Sequence, residues 1–139
     1  MLVRDAMSPR LITLSSTQTV YEAVGLMVAN NISGLAAIEN GVAAGVITLK
    51  DVVRRGVAKD KDLKKTPVSE LMTRPVITIN DKAPIEKAAD AMKDRRIKRL
   101  VVVDDAYKVV GIITAMDIVS AVPKLVNVMF NTWNKPDWK

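Results

Sequence analysis

The octet GVITLKDV at residues 45–52 returns as GIITAMDI at residues 111–118, with Gly, Ile, Thr and Asp in the same places. It closes a longer repeat. Sliding the chain by 65 residues lays MSPRLITL (7–14) over MTRPVITI (72–79). The same shift lays VYEAVGLMVANNISGLAAIE (20–39) over IEKAADAMKDRRIKRLVVVD (85–104). One extra residue in the turn near Ala106 then raises the offset to 66, so Gly45 meets Gly111, Thr48 meets Thr114 and Asp51 meets Asp117. The repeat fills almost all of residues 3–122, so the chain is expected to fold as two like units. A half of about 55–60 residues buries a poor core alone, which predicts that the two copies pack together.

Each copy reads the same way locally. LITL (11–14) and VITI (76–79) are β-branched runs and predict strands. Val20, Ala23, Val24, Met27 and Val28 then recur at helical spacing. Thr19 and Glu22 have the form of a capping box at that helix's start. Pro84 falls near the first turn of the second copy's helix, where a missing N–H costs nothing. LAAIE (35–39) and LVVVD (100–104) predict second strands, ENG and DDAYK turns, and GVIT and VVGIIT third strands. These run into helices over LKDVVRRGV and AMDIVSAV. The expected fold is α+β, strand-helix-strand-strand-helix twice.

The sequence divides into repeat 1 (1–60), a charged linker (61–67), repeat 2 (68–122) and a C-terminal helix and tail (123–139). The stretch AKDKDLKKTP leading to Pro67 reads as a solvated connection. Its aspartates alternate with its lysines, which weakens a nucleic-acid reading. In the tail, Leu125, Val126, Met129, Phe130 and Trp133 would form one apolar stripe, packed on its own domain or on a second copy.

Composition narrows the chemistry. With no cysteine and no histidine, disulfides, thiol nucleophiles, imidazole general bases and the usual zinc ligands are excluded. No metal site and no catalytic cofactor are expected. The net charge of +6 favours anionic partners as well as solubility. No apolar run approaches the ~18 residues of a membrane span, and MLVRDAMSPR lacks the apolar core of a signal peptide. A cytoplasmic protein with no membrane partner is expected.

The octet has two compatible readings. Thr48-Leu-Lys-Asp51 and Thr114-Ala-Met-Asp117 both fit the box that caps a helix, and a repeat copies a good cap twice. A helix start of this kind also suits an anionic ligand: the hydroxyl bonds a phosphate or a hydroxyl, and the carboxylate accepts from a sugar diol.

With its twin G-h-I-T-x-x-D-h octets (h apolar), RPVITI before the first strand and IKRLVVVD leading into the second, the sequence resembles the CBS domain in its tandem form, the Bateman module. The resemblance spans about 120 residues, and the order of motifs recurs twice. The first copy departs from the pattern, with ISGLAAIE where the second has the basic version. The resemblance implies a small stand-alone protein of two pseudo-twofold-related units packed through their sheets, with two clefts between the halves. In many members a cleft holds an adenosine nucleotide.

Carried over by position, Asp117 would bind ribose and Thr114 would lie near ribose and phosphate. Lys98 and Arg99 would meet phosphate, Lys50 from the opposite octet would add charge, and Ile12 and Ser33 would line the base pocket. The second cleft would hold Asp51, Thr48 and Ile77. Its own basic slot is Ser33-Gly34 and its cross-repeat position is Met116, so phosphate lacks partners there and this is the weaker site. Arg95 and Arg96 read as plain surface.

The leading expectation is a non-catalytic sensor that binds AMP, ADP or ATP as a regulatory ligand. It would signal to a separate effector protein and form a homodimer through its apolar helix faces. The alternative is nucleic-acid binding through the basic face. Against it, Tyr21 and Tyr107 are the aromatic residues within the repeats, too few for stacking platforms. An enzyme is not expected.

Overall fold

The computed structural model describes residues 1–9 and 12–121, so the stripe expected over Leu125–Trp133 lies outside the described residues. In chain order the elements begin with α1 (Val3–Ala6), β1 (Thr13–Ser15), α2 (Val20–Asn30), β2 (Gly34–Glu39), β3 (Val42–Thr48) and α3 (Leu49–Asp51). The α3 turn continues as a π turn at Val52–Gly56 and a 3-10 turn at Val57–Lys59. Then come α4 (Val68–Leu71), β4 (Thr78–Asn80), α5 (Ile85–Arg95), β5 (Arg99–Val103), β6 (Val109–Thr114) and α6 (Ala115–Ala121). The strand-helix-strand-strand-helix order thus occurs twice.

These elements form two compact units. One is Ile12–Val76; the other joins residues 1–9 to residues 77–121. Each holds a three-stranded sheet, β1-β2-β3 in one and β4-β5-β6 in the other. The first strand of each is parallel to the second, and the second antiparallel to the third. A register shift falls at Ala37/Ile38 and at Val102/Val103, equivalent positions of the two repeats.

The first hairpin turns on Asn40 and Gly41, both with positive φ, the geometry that two-residue hairpins need. The second turns through a longer loop, where Asp104 Oδ1 accepts from the N–H groups of Ala106 and Lys108. The extra residue of the repeat is spent there.

The expected first strands are displaced. Pairing with the parallel neighbour begins at Thr13↔Ala36 and Thr78↔Val101. Ile12 thus precedes the first strand, and Val76 and Ile77 precede its counterpart. In α2, Thr19 Oγ1 accepts from Glu22 N–H at 3.1 Å. The Glu22 carboxylate takes the Gln18 amide instead of closing the box. Val20, Ala23 and Met27 are buried as expected, but Val28 is 75% exposed. At 3.6 residues per turn it lies about 80° around the helix from Val20, on the flank shared with Tyr21. Both helices end on a left-handed residue, Asn31 and Arg96.

Matched positions build the two cores. Val20, Ala23, Met27, Leu35 and Ile47 fill one; Ile85, Ala88, Met92, Leu100 and Ile113 fill the other. One matched pair is exchanged. Val3 packs with Ile85 and Met92, whereas Val68 packs with Val20 and Met27.

The leading segment of each repeat is therefore a strap on the other repeat's unit. At the first strap, Ile85 N–H donates to Met1 O at 3.1 Å, Val3 N–H to Ala83 O at 2.8 Å, and Ser8 exchanges backbone bonds with Ile112. At the second, Val20 N–H donates to Thr66 O at 2.9 Å, Val68 N–H to Gln18 O at 2.8 Å, and Thr73 exchanges bonds with Val46. The linker is accordingly not merely solvated. Thr66 is buried, Leu63 packs on the core, and Tyr21 N–H donates to Leu63 O at 3.0 Å. Orphan N–H groups at the start of α2 are thus satisfied by the linker backbone, while its lysines stay exposed.

Candidate ligand site

The two octets fold as third strand into helix, and the strap crosses each at its glycine. A Cβ on Gly45 would meet Thr73 O and Met72 Sδ at 2.8 Å each; one on Gly111 would meet Ser8 O at 2.6 Å and Met7 Sδ at 2.8 Å. The glycine of the octet is therefore a point of close backbone approach, as glycine in a strand often marks.

At the other end of the octet the expected caps form. Thr114 N–H donates to Asp117 Oδ2 at 2.8 Å and Asp117 N–H to Thr114 Oγ1 at 3.1 Å. The equivalent bonds at Thr48 and Asp51 measure 3.0 and 3.2 Å. The Thr48 hydroxyl also donates to Asp51 Oδ2 at 3.1 Å.

In the second unit the register brings a basic pair beside this cap. Arg99 pairs with Thr114 across β5 and β6, and Ala115 N–H donates to Lys98 O at 2.8 Å. Lys98 is exposed and has no ion-pair partner among the described residues. Thr114, Asp117, Lys98 and Arg99 thus occupy one end of one sheet. Among the described residues nothing bonds Asp117 Oδ1. A carboxylate oxygen that can accept from a diol, with cationic side chains beside it, is the chemistry that an anionic sugar ligand requires.

The equivalent place in the first unit differs. Gly34 pairs with Thr48, and Leu49 N–H donates to Ser33 O at 3.0 Å. Ser33-Gly34 stands where the second unit has Lys98-Arg99, with Lys50 exposed beside Asp51. The Asp51 carboxylate is engaged. Its Oδ1 accepts from the Thr73 hydroxyl at 3.3 Å and lies 4.0 Å from Arg55 Nε. Sequence reasoning missed Arg55 and Thr73. The first could have been found as an i,i+4 partner of Asp51; the second is distant in sequence and gives no local signal.

Of the other expected site residues, Ile12, Ser33 and Lys50 belong to Ile12–Val76. Ile77, whose carbonyl accepts from Val101 N–H at 3.3 Å, belongs to the other unit. Ile12 and Ile77 are half-buried against the core of their own units.

Some charges away from the octets are perturbed. The Arg74 guanidinium, bonded at 3.0 Å, and the Ser16 hydroxyl hold Glu39 below the usual carboxylate range. Lys82 and Asn80 do the same for Asp105, which in turn raises Lys82. No group of metal-ligating side chains occurs among the described residues, and none of their helices is long and apolar enough to cross a membrane.

The model of the CBS domain family matches this chain twice, at residues 3–58 and 68–124. The CBS domain-containing protein YhcV of Bacillus subtilis is 34% identical over 116 residues, covering 84% of this chain and 81% of the relative. Among solved structures, the CBS domain pair of protein MJ0100, in complex with 5'-methylthioadenosine and S-adenosyl-L-methionine, has a TM-score of 0.79 and 33% identity. That match covers 89% of this chain and 97% of the other. The CBS domain protein PAE2072 of Pyrobaculum aerophilum, complexed with AMP, shares the fold at a TM-score of 0.82 and 22% identity, with 94% and 99% covered.

Proposed function

The chain belongs to the CBS domain family, carrying two copies in tandem, and from that premise we propose that it is a non-catalytic regulatory module that binds one adenosyl ligand per chain at Asp117. The carrying observation is the convergence of Asp117, Thr114, Lys98 and Arg99 at one strand end. Asp117 accepts from the ribose diol and Thr114 caps the helix beside it. Lys98 and Arg99 select AMP, ADP or ATP through phosphate. Asp51 and Thr48, at the equivalent strand end of the first unit, make the weaker site.

In this reading a cytoplasmic homodimer passes the state of the site to a separate effector protein. The apolar residues Leu49, Val53 and Val57, spaced four apart and 41%, 59% and 62% exposed, supply a contact face on the first repeat. Nucleic acid is the less favoured partner, because Lys98 and Arg99 are already given a phosphate to hold.

Isothermal titration with AMP, ADP, ATP, 5'-methylthioadenosine and S-adenosylmethionine tests this. Wild type is expected to bind one ligand per chain, and Asp117→Ala none. Lys98→Ala should weaken the phosphate-bearing ligands about tenfold, the loss of one charge-assisted hydrogen bond, and leave 5'-methylthioadenosine unchanged. Absence of heat from all five, or binding indifferent to Asp117→Ala, overturns the assignment.

A further inference from the structure

The two octet aspartates are equivalent in the repeat and cap their helices alike, yet among the described residues only Asp51 is engaged from outside its own octet. Asp51 Oδ1 accepts from the Thr73 hydroxyl at 3.3 Å. Arg55 stands over the same oxygen, with Nε at 4.0 Å, and its Nη1 donates to Leu71 O at 3.3 Å and Met72 O at 3.2 Å. Those carbonyls belong to the strap that also carries Thr73, so hydroxyl and guanidinium are positioned by one crossing segment. The Asp51 side chain is left only 13% exposed. At Asp117 the corresponding residues are Ser8, at the same strap register, and Ala121, four residues along the helix. Among the described residues no bond joins the Ser8 hydroxyl to Asp117, and an alanine has nothing to offer a carboxylate.

We infer that Thr73 and Arg55 are an internal lock on Asp51: they occupy the carboxylate that would otherwise receive a ligand's hydroxyls, and so confine binding to Asp117. This rests on the reading of Asp117 as an adenosyl site and adds what keeps the sister site closed. A diol approaching Asp51 must displace the hydroxyl donor and move a guanidinium held by two backbone carbonyls; at Asp117 no described residue outside the octet has to be displaced. The lock is a property of two side chains, so it is removable at one octet and transferable to the other.

The test is titration with AMP and with S-adenosylmethionine on two variants, each checked for a wild-type circular dichroism spectrum. Thr73→Val with Arg55→Met is expected to raise the stoichiometry from one to two per chain, the added site vanishing when Asp51→Ala is included. Ser8→Thr with Ala121→Arg, in an otherwise unchanged chain, is expected to weaken the Asp117 site at least tenfold. An opened variant that still binds one ligand, or a mirror variant with wild-type affinity, overturns the lock while leaving Asp117 as the binding site. If the opened variant does not fold, the mirror variant decides. A wild type that binds neither ligand overturns the Asp117 reading instead. In that case an opened variant with one Asp51-dependent site upholds the lock, and one with none overturns it too.

Discussion

At Gly111 the backbone of β6 comes so near the first strap that a methyl group would sit 2.6 Å from Ser8 O. A carbonyl oxygen in a two-bond bridge cannot step aside as a flexible side chain can. Gly111→Ala is therefore expected to cost about 1–3 kcal/mol, the range of overpacking a close-fitted interior, read as a lower midpoint in urea unfolding. The octet had been legible as a cap, and Thr48, Asp51, Thr114 and Asp117 do cap. Its glycine had no reading, because what it accommodates comes from a segment distant in sequence. The same blindness hid Thr73 and Arg55. A repeat alignment equates Asp51 with Asp117 and is silent about which carboxylate another part of the chain has reached.

Among the elements, α2 and α5 share buried positions and differ outside. The exposed positions of α5 carry Glu86, Lys87, Asp90, Lys93, Asp94 and Arg95; those of α2 carry Tyr21, Glu22, Gly25, Val28 and Ala29. Gly25 has nothing within 4 Å of a built Cβ. Gly25→Ala should therefore stabilise the protein by about 0.5–1 kcal/mol through helix propensity, seen as a raised urea midpoint. The single charge of α2, Glu22, also explains why its buried stripe was legible only in part: with so few polar residues to mark the solvent side, Val28 looked as good a core position as Met27.

A second element-scale consequence follows from the Arg74–Glu39 pair, which ties the stretch after α4 to the end of β2. Holding the Glu39 carboxyl low adds stability that is complete above the ordinary carboxylate range and is lost as pH falls through the lowered value. Glu39→Gln should accordingly lose less stability than wild type between about pH 6 and about pH 3, as followed by thermal melts.

For the molecule as a whole, the sequence repeats and the folded units are out of phase. Residues 1–60 lack Val68, Leu71 and Met72, buried members of the first unit's core; residues 12–76 contain them. A fragment spanning Ile12–Val76 is expected to show protected amides in hydrogen exchange, and a fragment of residues 1–60 is not. Equal protection in the two would contradict the exchange of straps. The double β-α-β-β-α order was legible because periodicity is local and was written twice. The phase was not, because a four-residue helix such as Val3–Ala6 carries no period long enough to say which core it enters.

The exchange also sets an order of assembly during synthesis. Chains emerge from the ribosome N-terminus first. Ile12–Val76 holds all its own parts once Val76 is out. The residues of the first strap, made ahead of Ile12–Val76, have to wait for Ile85, Met92 and Ile112, made after it. Until then the first strap has no seat in its own chain. On a polysome, where neighbouring nascent chains stand at different stages, the vacant seat of an older chain is open to the strap of a younger one. The device that joins the two repeats is thus also the place where two growing molecules can become entangled.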